Sequence, residues 1–311
     1  MDGRAAAGPK DGRADGAGPR HVLVAVAWPY ANGSLHLGHL AGAYLPADIF
    51  ARYHRIAGSR VLMVSGSDGH GTPITVRAEQ ESTTPQAVVE RFHPEFLRYW
   101  DELGISFDLF TTTLTENHAA TTQEVLRGLH ANGFLEARTT LQPYDPVAER
   151  FLPDRYVEGT CPRCGSEGAR GDQCDACGAT LDPTDLVEPR SKLTGATPEQ
   201  RETEHYFLLL PRLADRLLAW LESREGWRPH VINWALGFVR DGLQDRAITR
   251  DIDWGVPLPD DVTLAGADRK RIYVWFDAVI GYLSASREWA QRSGDPEAWR
   301  AWWEDSSAES Y

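Results

Sequence analysis

The pattern of hydrophobic and polar positions predicts alternating strands and helices in the first part of the chain. An apolar run over 21–27 predicts a buried strand, followed by a turn in which Ser34 is placed as a helix N-cap. A helical pattern over 35–57, with Pro46 as a kink or break, leads to a second apolar strand at 60–64. Further helical patterns lie at 73–81, 85–103 and 116–132. This alternation predicts a parallel α/β sheet that binds ligands at the carboxyl ends of its strands.

The pattern changes after Gly133. Residues 134–193 read as short strands rich in Gly, Pro and Asp, and two helices are predicted at 213–223 and 230–245. A buried strand at 271–277 and a helix at 281–291 then resume the earlier pattern. We interpret this as one α/β domain interrupted by a long insertion. The predicted divisions are a disordered tail at 1–20, the first part of the domain at 21–133, the insertion at 134–245 and the return to the domain at 246–311.

The composition and charge of the sequence argue against several classes of protein. The 311 residues are 42% hydrophobic and carry a net charge of −13, which argues against nucleic-acid binding by bulk electrostatics. No apolar run approaches the roughly 20 residues that span a bilayer, so we expect no membrane association. Residues 1–20 lack the apolar core of a secretory signal, which makes the cytoplasm the expected compartment. The last ten residues, WWEDSSAESY, show a helix-like run and no strand pattern. Of the 11 tryptophans, all but Trp28 and Trp100 lie beyond residue 219.

The four cysteines form two pairs inside the predicted insertion. Their spacing is C-x2-C, nine intervening residues and C-x2-C, with a glycine after the second cysteine of each pair. Two such knuckles complete a tetrahedral four-thiolate site suited to Zn2+, and a site closed in this way is structural. The alternatives are two disulfides or a metal-free remnant. The predicted zinc ligands are Cys161, Cys164, Cys174 and Cys177.

A His-x-x-His turn follows the first predicted strand. His36 and His39 stand at i and i+3, so they share one face of a helix next to its positive end. That end attracts phosphate, and Gly38 allows a flat group to approach the backbone between the two rings. By itself this spacing is commonly incidental. Its position after the first parallel strand makes it a candidate phosphate site.

The segment PYANGSLHLGH at 29–39 resembles the HIGH signature of class I aminoacyl-tRNA synthetases, in the form seen in methionyl-tRNA synthetases. Other segments are similar to that family in the same order along the chain. They are GSDGHGTPI at 66–74, FLPDRYVEGTCPRCG at 151–165, ATPEQRETEHYF at 196–207, GLQDRAITRDIDWGVPLP at 242–259 and YVWFDAVIGYLSA at 273–285. The resemblance implies a Rossmann-type (HUP-like) nucleotide-binding domain split by a connective insertion that carries the zinc knuckle.

The resemblance also implies a reaction. ATP and methionine would give methionyl-adenylate, with Mg2+ expected beside ATP, and the methionyl group would pass to the 3′ end of tRNA. His36 and His39 would donate to the phosphates, which is positioning and charge stabilisation rather than covalent catalysis. Asp68 would hold the substrate ammonium, and Arg250 would pair with carboxylate or phosphate.

The remaining site residues follow from the same resemblance. The ATP-binding residues would be Asn32, Gly33, His36, Gly38 and His39. A thioether favours aromatic edges, so a cage of aromatic side chains suits methionine. The residues around the amino acid would be Ala27, Trp28, Tyr30, Asp68, Trp275, Ala278 and Tyr282.

Several features depart from the family pattern. Trp28 stands where many members carry a smaller aliphatic residue, Val279 replaces a usual proline, and Gly69 replaces a residue that is often Glu or Ala. Each is expected at the pocket or its rim, so a modified methionine or another amino acid is an open alternative. The second family signature, KMSKS, is absent, because no Lys-x-Ser-Lys run occurs in the sequence.

These observations leave several functional hypotheses. The first is the amino-terminal part of a methionine–tRNA ligase, weak or inactive alone because the lysines that neutralise pyrophosphate are missing. A second chain that carries the missing half would restore activity. The other hypotheses are a non-catalytic paralogue that binds methionine, adenylate or a tRNA acceptor end, and the remnant of a disrupted gene.

Overall fold

A computed structural model describes residues 19–171, 173–179 and 181–311. The predicted tail at 1–20 therefore lies outside the described residues, except for its last two positions. The helices are α1 Leu37–His39, α2 Leu45–Ile56, α3 Thr72–Gln80, α4 Pro85–Leu103, α5 Glu116–Ala131, α6 Ala214–Glu222, α7 Pro229–Arg240, α8 Val274–Arg292 and α9 Arg300–Trp303. The strands are β1 His21–Ala25, β2 Arg60–Ser67, β3 Leu109–Thr112, β4 Leu135–Asp145, β5 Arg150–Phe151, β6 Val157–Thr160, β7 Ala169–Arg170, β8 Val187–Ser191, β9 Glu199–Leu208, β10 Arg246–Ala247, β11 Thr249–Asp251, β12 Lys270–Ile272 and β13 Glu309–Ser310.

The predicted parallel sheet is present. Its strand order is β13-β1-β2-β3, and every neighbouring pair is parallel. The central residues of β1 and β2 are buried on both faces, which explains their continuous apolar sequence. On one face the core contains Met63, Phe96 and Trp100, and on the other it contains Leu62 and Ala285. The α/β prediction for this part of the chain is confirmed.

The part of the chain predicted as an insertion is built differently. Strands β4 and β9 form a long antiparallel pair that extends from Leu135 opposite Leu208 to Tyr144 opposite Glu199. A separate three-stranded sheet, in the order β7-β6-β8, lies around the cysteines and has its own small core. Helices α6 and α7 pack against each other around Leu221 and Val239. Strands β11 and β12 then form a two-stranded ribbon that leads into α8.

Two predictions near the end of the chain are wrong. The buried strand predicted at 271–277 is a strand only as far as Ile272, because α8 begins at Val274 with Tyr273 as its N-cap. A short apolar run fits a buried helix as well as a buried strand, and only tertiary packing separates the two. The chain end, for which no strand was expected, forms β13, whose Glu309 and Ser310 pair in parallel with β1.

The start of the first long helix also differs from the prediction. The N-cap is His36 rather than Ser34, and its ring accepts a hydrogen bond from the Gly38 N–H. Pro46 does not break the helix, because it lies in the first turn of α2. The turn before it, Leu40–Tyr44, is π-helical. Proline has no N–H to donate and its ring crowds the preceding turn, so a wider turn accommodates it. Within the described ranges, no helix combines the length and apolarity that a bilayer crossing requires.

Candidate active site and metal centre

His36 is the N-cap of α1 and His39 is its last residue, and this short helix follows β1 across the turn that contains Tyr30. Their ring centroids are 4.0 Å apart. The His36 backbone N–H donates to His39 Nδ1 over 3.3 Å, so the two side chains cap the helix reciprocally. Desolvation and the neighbouring His36 ring lower the pKa of His39. The neutral form of the His39 ring is thus favoured, and an anion beside that ring would favour its protonation.

Tyr30 and Asp68 lie side by side at the ends of neighbouring parallel strands. They form a β-bridge, in which the Asp68 N–H donates to Pro29 O over 2.8 Å and the Ala31 N–H donates to Asp68 O over 2.9 Å. The Asp68 side chain is buried, and its Oδ1 accepts from the His70 N–H at 2.9 Å. Desolvation and the charge of Asp277 raise the pKa of Asp68 well above its usual value. A cation brought to this carboxylate would relieve that cost.

A buried hydrogen-bonded network lies behind Asp68 and was missed by the sequence interpretation. His70 Nδ1 is 2.9 Å from Asp277 Oδ2, and His118 Nδ1 is 2.9 Å from Ser284 Oγ. His118 Nε2 lies 3.8 Å from Asp277 Oδ1. Burial raises the pKa of Asp277, but the two imidazoles outweigh it and lower the pKa overall. The network joins the loop after β2 to helices α5 and α8.

A sequence signal existed for only part of this network. His70 and Asp277 lie inside segments that resemble the synthetase family, where each polar residue in an apolar setting is a candidate. His118 is one of two histidines on the amphipathic helix α5, and its distance of twelve residues from His130 is not a ligand spacing. Only the approach of α5 to α8 shows that it is buried against Asp277.

Arg250 projects into a cleft between the parallel sheet and the β11–β12 ribbon. Tyr30, His70 and Trp275 also line this cleft. The Arg250 guanidinium lies 4.1 Å from the centroid of the Tyr273 ring, and its Nη1 donates to Ala247 O and Thr249 O at 2.9 Å. The structure therefore brings Arg250 to the same cleft as two of the predicted amino-acid-binding residues.

The other predicted pocket residues form a second group beside Trp28. The Trp28 and Tyr282 rings meet edge to face with centroids 6.3 Å apart. Ala278 is half-buried one turn before Tyr282, whereas Ala27 is exposed and its carbonyl accepts from the Tyr44 hydroxyl at 3.1 Å. Trp275, which lines the cleft of Arg250, is 59% exposed at the start of α8.

Gly69 and Val279, the other two departures from the family pattern, lie in different environments. A side chain at Gly69 would lie 2.9 Å from the Leu114 side chain, so packing explains why this position has none. The Gly69 carbonyl accepts from Trp254 Nε1 at 2.7 Å. Val279 is 63% exposed on α8, which makes it a surface position of the described chain.

Gly66 and Gly281 make room for the indole of Trp28. A Cβ at Gly66 would lie 2.4 Å from the Trp28 ring and 2.7 Å from Thr111 O. Such crowding of a packed core typically costs about 1–3 kcal/mol. We therefore expect Gly66→Ala to lower the free energy of unfolding by about that amount, measured by urea denaturation. As a control, Gly128 lies in an exposed turn of α5 with no atom within 4 Å. Gly128→Ala should instead raise it by about 0.5–1 kcal/mol, and equal effects of the two changes would contradict the packing argument.

The four cysteines converge as the sequence spacing predicted. Cys161 Sγ lies 4.0 Å from Cys177 Sγ, and Cys164 Sγ lies 3.6 Å from Cys174 Sγ. A tetrahedral site with Zn–S bonds of about 2.3 Å has sulfur–sulfur edges of about 3.8 Å. All four sulfurs lie within 4.8 Å of one another, and no disulfide joins them. The donor set therefore fits a zinc ion.

Comparisons with known proteins agree with this architecture. A family model described as tRNA synthetases class I (M) matches residues 22–311. The methionine–tRNA ligase of Thermomicrobium roseum is 56% identical over 293 residues, which cover 94% of this chain and 50% of that protein. The methionine–tRNA ligase of a Roseiflexus species is 60% identical over 288 residues, which cover 92% of this chain and 48% of that protein.

Solved structures give the same result. Mycobacterium tuberculosis methionyl-tRNA synthetase in complex with methionyl-adenylate is similar with a TM-score of 0.66 at 26% identity, covering 92% of this chain and 49% of that chain. A second structure of that enzyme, also bound by methionyl-adenylate, has a TM-score of 0.62 and covers 86% and 47% of the two chains. The chain spans about half the length of the curated relatives it matches. Because the family model covers nearly all of the described residues, the chain belongs to the class I tRNA synthetases of the methionine type.

Proposed function

We propose that this chain binds ATP and methionine and contributes the activating half of a methionine–tRNA ligase. One observation carries the proposal. The buried Asp68 carboxyl lies beside Tyr30 at the carboxyl ends of the adjacent parallel strands β1 and β2, and the histidine-capped α1 lies in the same connection from β1 to β2. This arrangement supports an ammonium group held at the sheet edge and a polyphosphate held at the helix that follows the turn.

The proposed chemistry is adenylation. The methionine carboxylate attacks the α-phosphorus of ATP, a new P–O bond forms, and the bond to the bridging oxygen breaks as pyrophosphate leaves. His36 and His39 would donate N–H groups to phosphate oxygens, beside Asn32, Gly33 and Gly38 in the turn and helix start. Mg2+ would accompany the phosphates. Fixed donors of this kind stabilise charge that develops in the transition state.

The amino-acid side of the site would use charge and aromatic contact. Asp68 would hold the ammonium group, and Arg250 would pair with the carboxylate or a phosphate from the opposite wall of the cleft. Ala27, Trp28, Tyr30, Trp275, Ala278 and Tyr282 would surround the thioether. Aromatic edges favour a polarisable sulfur, which supports methionine over an aliphatic amino acid.

Titration calorimetry with methionine and with leucine tests the amino-acid site. We expect methionine to bind measurably tighter than leucine, because leucine offers the same charges without sulfur. Equal affinities would refute the assignment of the side-chain pocket. Methionine-dependent exchange between ATP and pyrophosphate then tests catalysis by the same preparation.

A second candidate function is binding without catalysis. The 311 residues contain no Lys-x-Ser-Lys run, and without such lysines methionine and ATP would bind while pyrophosphate exchanged slowly or not at all. The chain would then act as a binding module, or with a second chain that supplies the lysines. Exchange that appears only after such a chain is added would support the split enzyme. Transfer to the acceptor end of tRNA, in the cytoplasm, belongs to the same proposal.

The cysteine site would hold a structural zinc ion through Cys161, Cys164, Cys174 and Cys177. Burial raises the pKa of the Cys161 thiol, but backbone N–H groups of Cys164 and Arg163 outweigh it and lower the pKa to about 7. The Ser166 N–H lowers the pKa of the Cys164 thiol, but the neighbouring sulfurs outweigh it and raise that pKa, so metal binding would have to release protons from the cluster, because only the deprotonated sulfur is a ligand. Four protein ligands leave no open position on the metal, so its contribution would be to folding.

The role of His36 in phosphate binding gives a direct prediction. A Cβ at Gly38 would lie 2.8 Å from His36 Cε1, so Gly38→Ala must displace that ring. We expect ATP affinity to fall by about tenfold or more, in line with the loss of one hydrogen bond to a charged group. Equilibrium dialysis of Mg-ATP measures it. Gly42, with no atom within 4 Å, provides the control Gly42→Ala. If both variants bind ATP equally, the His36 ring does not contact the phosphates.

A further inference from the structure

Lys270 is a buried lysine outside the proposed substrate contacts. It is the first residue of β12 and is only 2% exposed. Lysine is almost never buried to this extent unless its charge is paired. Its Nζ donates to Thr203 Oγ1 over 2.7 Å and to the carboxylate of Asp251, which stands opposite it in the β11–β12 ribbon. Because Thr203 belongs to β9, the lysine joins the ribbon to the part of the chain predicted as an insertion.

Asp251 is bound from β9 as well as by the lysine. Its Oδ2 accepts from Thr203 Oγ1 at 2.8 Å and lies 3.2 Å from His205 Nε2. Burial raises the pKa of Asp251, but His205 and Lys270 outweigh it and lower the pKa overall. The ionised form of Asp251 is therefore favoured. A carboxylate accepts hydrogen bonds only, so His205 Nε2 carries the proton in this contact.

The His205 ring extends the hydrogen bonds to the other end of β11. Burial lowers the pKa of His205 more than Asp251 raises it, which favours the neutral ring. In a neutral ring protonated at Nε2, Nδ1 is an acceptor, and it lies 3.0 Å from Thr249 Oγ1. Thr249 Oγ1 in turn accepts from the Tyr206 N–H at 3.1 Å. The side chains of Thr249 and Asp251 are thus both bound to β9. We call the set the Lys270 cluster, and its members are Thr203, His205, Thr249, Asp251 and Lys270.

Arg250 lies between two members of the Lys270 cluster along β11. Successive side chains of a strand point to opposite faces, so Thr249 and Asp251 face β9 while Arg250 faces away from it. The cavities on the two sides agree with this: Asp251 lines one beside β9, whereas Arg250 lines the cleft that contains Tyr30. Strand β11 has three residues, and a short two-stranded ribbon is only marginally stable by itself. Its position therefore depends on the cluster.

The aromatic ring beneath Arg250 is connected to the same ribbon. Tyr273 directly follows β12, and its N–H donates to Ile248 O over 2.9 Å. The Arg250 guanidinium lies 4.1 Å from the centroid of the Tyr273 ring. Displacement of Lys270 would therefore move both the strand that carries Arg250 and the strand that leads to Tyr273.

We propose that Lys270, Asp251 and His205 are positioning residues that hold the Arg250 guanidinium at its place in the cleft. The proposal deepens the proposed function and rests on it, because Arg250 is the residue that would pair with the methionine carboxylate or a phosphate. The three residues act through Arg250 and touch no substrate themselves. Strand β9 of the insertion thereby sets the geometry of a substrate contact on the far side of the ribbon.

A double-mutant cycle between Lys270 and Arg250 tests the proposal. Lys270→Met removes the buried cation and keeps an unbranched side chain. Calorimetry with methionine and equilibrium dialysis with Mg-ATP are carried out on the unaltered chain, both single variants and the double variant. We expect Arg250→Gln to weaken at least one ligand by about tenfold or more, in line with the loss of a hydrogen bond to a charged group. Lys270→Met should weaken the same ligand about twofold to thirtyfold, as for a residue coupled to a site that it does not touch.

The double variant separates positioning from direct contact. In the Arg250→Gln background, Lys270→Met should change the affinity no further, because its effect passes through Arg250. Additive losses would overturn the proposal, since Lys270 would then act on the ligand by another route. Ligands that bind Arg250→Gln as tightly as the unaltered chain would also overturn it, while the rest of the proposed function would stand.

A milder variant provides the same test if Lys270→Met does not fold. Thr203→Val removes the hydroxyl that joins Lys270 to Asp251 and leaves that ion pair in place. It should weaken the same ligand by a smaller factor, and again only while Arg250 is present. Lys192→Met is the matched control, because Lys192 is an exposed lysine 3.5 Å from a glutamate carboxylate just after β8. It should leave both affinities unchanged, and a loss equal to that of Thr203→Val would contradict the proposal.

An NMR signal reports the position of Arg250 without any ligand. The ring current of Tyr273 should shift the Arg250 side-chain N–H signal, which is identified by its absence from Arg250→Lys. We expect Lys270→Met and Thr203→Val to reduce the shift. An unchanged signal in both variants would overturn the proposal. A reduced shift in a chain that binds neither methionine nor Mg-ATP would uphold the positioning of Arg250 and refute only the proposed function.

Discussion

Replacing Cys174 by serine is expected to abolish zinc binding and unfold the sheet β7-β6-β8. That sheet has a small core in which two of the cysteines are themselves buried, together with Tyr156, Val157 and Leu186. Such a core is too small to be stable by itself, so the proposed zinc ion would supply the free energy that folds it. Apparent binding free energies of structural zinc are about 10–16 kcal/mol in small zinc domains. Losing one of four thiolates removes most of that contribution.

Two measurements check this result. Atomic emission should give a zinc-to-protein ratio near one for the unaltered chain and near zero for Cys174→Ser. Hydrogen exchange should show that β6 and β8 lose protection while β1 and β2, which belong to a separate core, keep theirs. Arg163→Ala is the matched control, because Arg163 is exposed inside the first knuckle. Zinc retained by Cys174→Ser, or lost equally by Arg163→Ala, would contradict the four-thiolate site.

Replacing Asp68 by asparagine is expected to destroy methionine binding while stabilising the ligand-free chain. Asparagine keeps an oxygen that can accept from the His70 N–H, so the local backbone is preserved. The proposed ion pair with the substrate ammonium is lost, and truncating one member of a buried charge pair costs about 2–5 kcal/mol. Calorimetry should therefore show an affinity for methionine that is lower by about thirtyfold to several thousandfold.

The gain in stability has a defined dependence on pH. Because burial and Asp277 raise the pKa of Asp68, ionisation of Asp68 destabilises the folded chain. Below the unfolded pKa of about 3.9, Asp68 is protonated in both states and the variant gains nothing. The stability gained by Asp68→Asn grows as pH rises from the unfolded pKa to the raised folded pKa of Asp68. Above the folded pKa the gain is constant. Thermal unfolding at several pH values above the isoelectric point of about 5.2 measures it.

Asp48 provides a control of opposite sign. It is also buried, but hydrogen bonds from Ser106 and Arg52 outweigh the effect of desolvation and lower its pKa. The stability that Asp48 contributes is present above its unfolded pKa and is lost as pH falls through the lower folded value. Asp48→Asn should therefore destabilise the chain by a constant amount across neutral pH. If Asp68→Asn also destabilises the chain at neutral pH, ionisation of Asp68 is not unfavourable in the folded state.

The sequence was most informative where a local pattern has one structural solution. The apolar runs that became β1 and β2 favoured strands buried on both faces, because each was short, contained β-branched residues and was followed by turn residues and a helical pattern. The cysteine spacing predicted the convergence of four sulfurs, because each C-x2-C turn directs its two side chains to one point. The order of the quoted segments also predicted the family that the comparisons show.

The sequence was least informative where packing decides between local alternatives. The run 271–277 became mostly helix, with Tyr273 as the N-cap of α8 and Asp277 buried against His70 and His118. Glu309 and Ser310 have no strand pattern, and they pair with β1 only because the edge of the sheet is available to them. Neither outcome follows from local propensity.

The sequence by itself determined the parallel sheet, the cysteine cluster, the family and the residue types at the candidate site. Each of these depends on spacing along the chain, which a sequence records. Only the tertiary structure decided that Asp68 is buried beside Tyr30 and that His70, His118 and Asp277 form one network behind it. These depend on contacts between segments far apart in the chain, and burial and electrostatic coupling exist only once those segments have packed together.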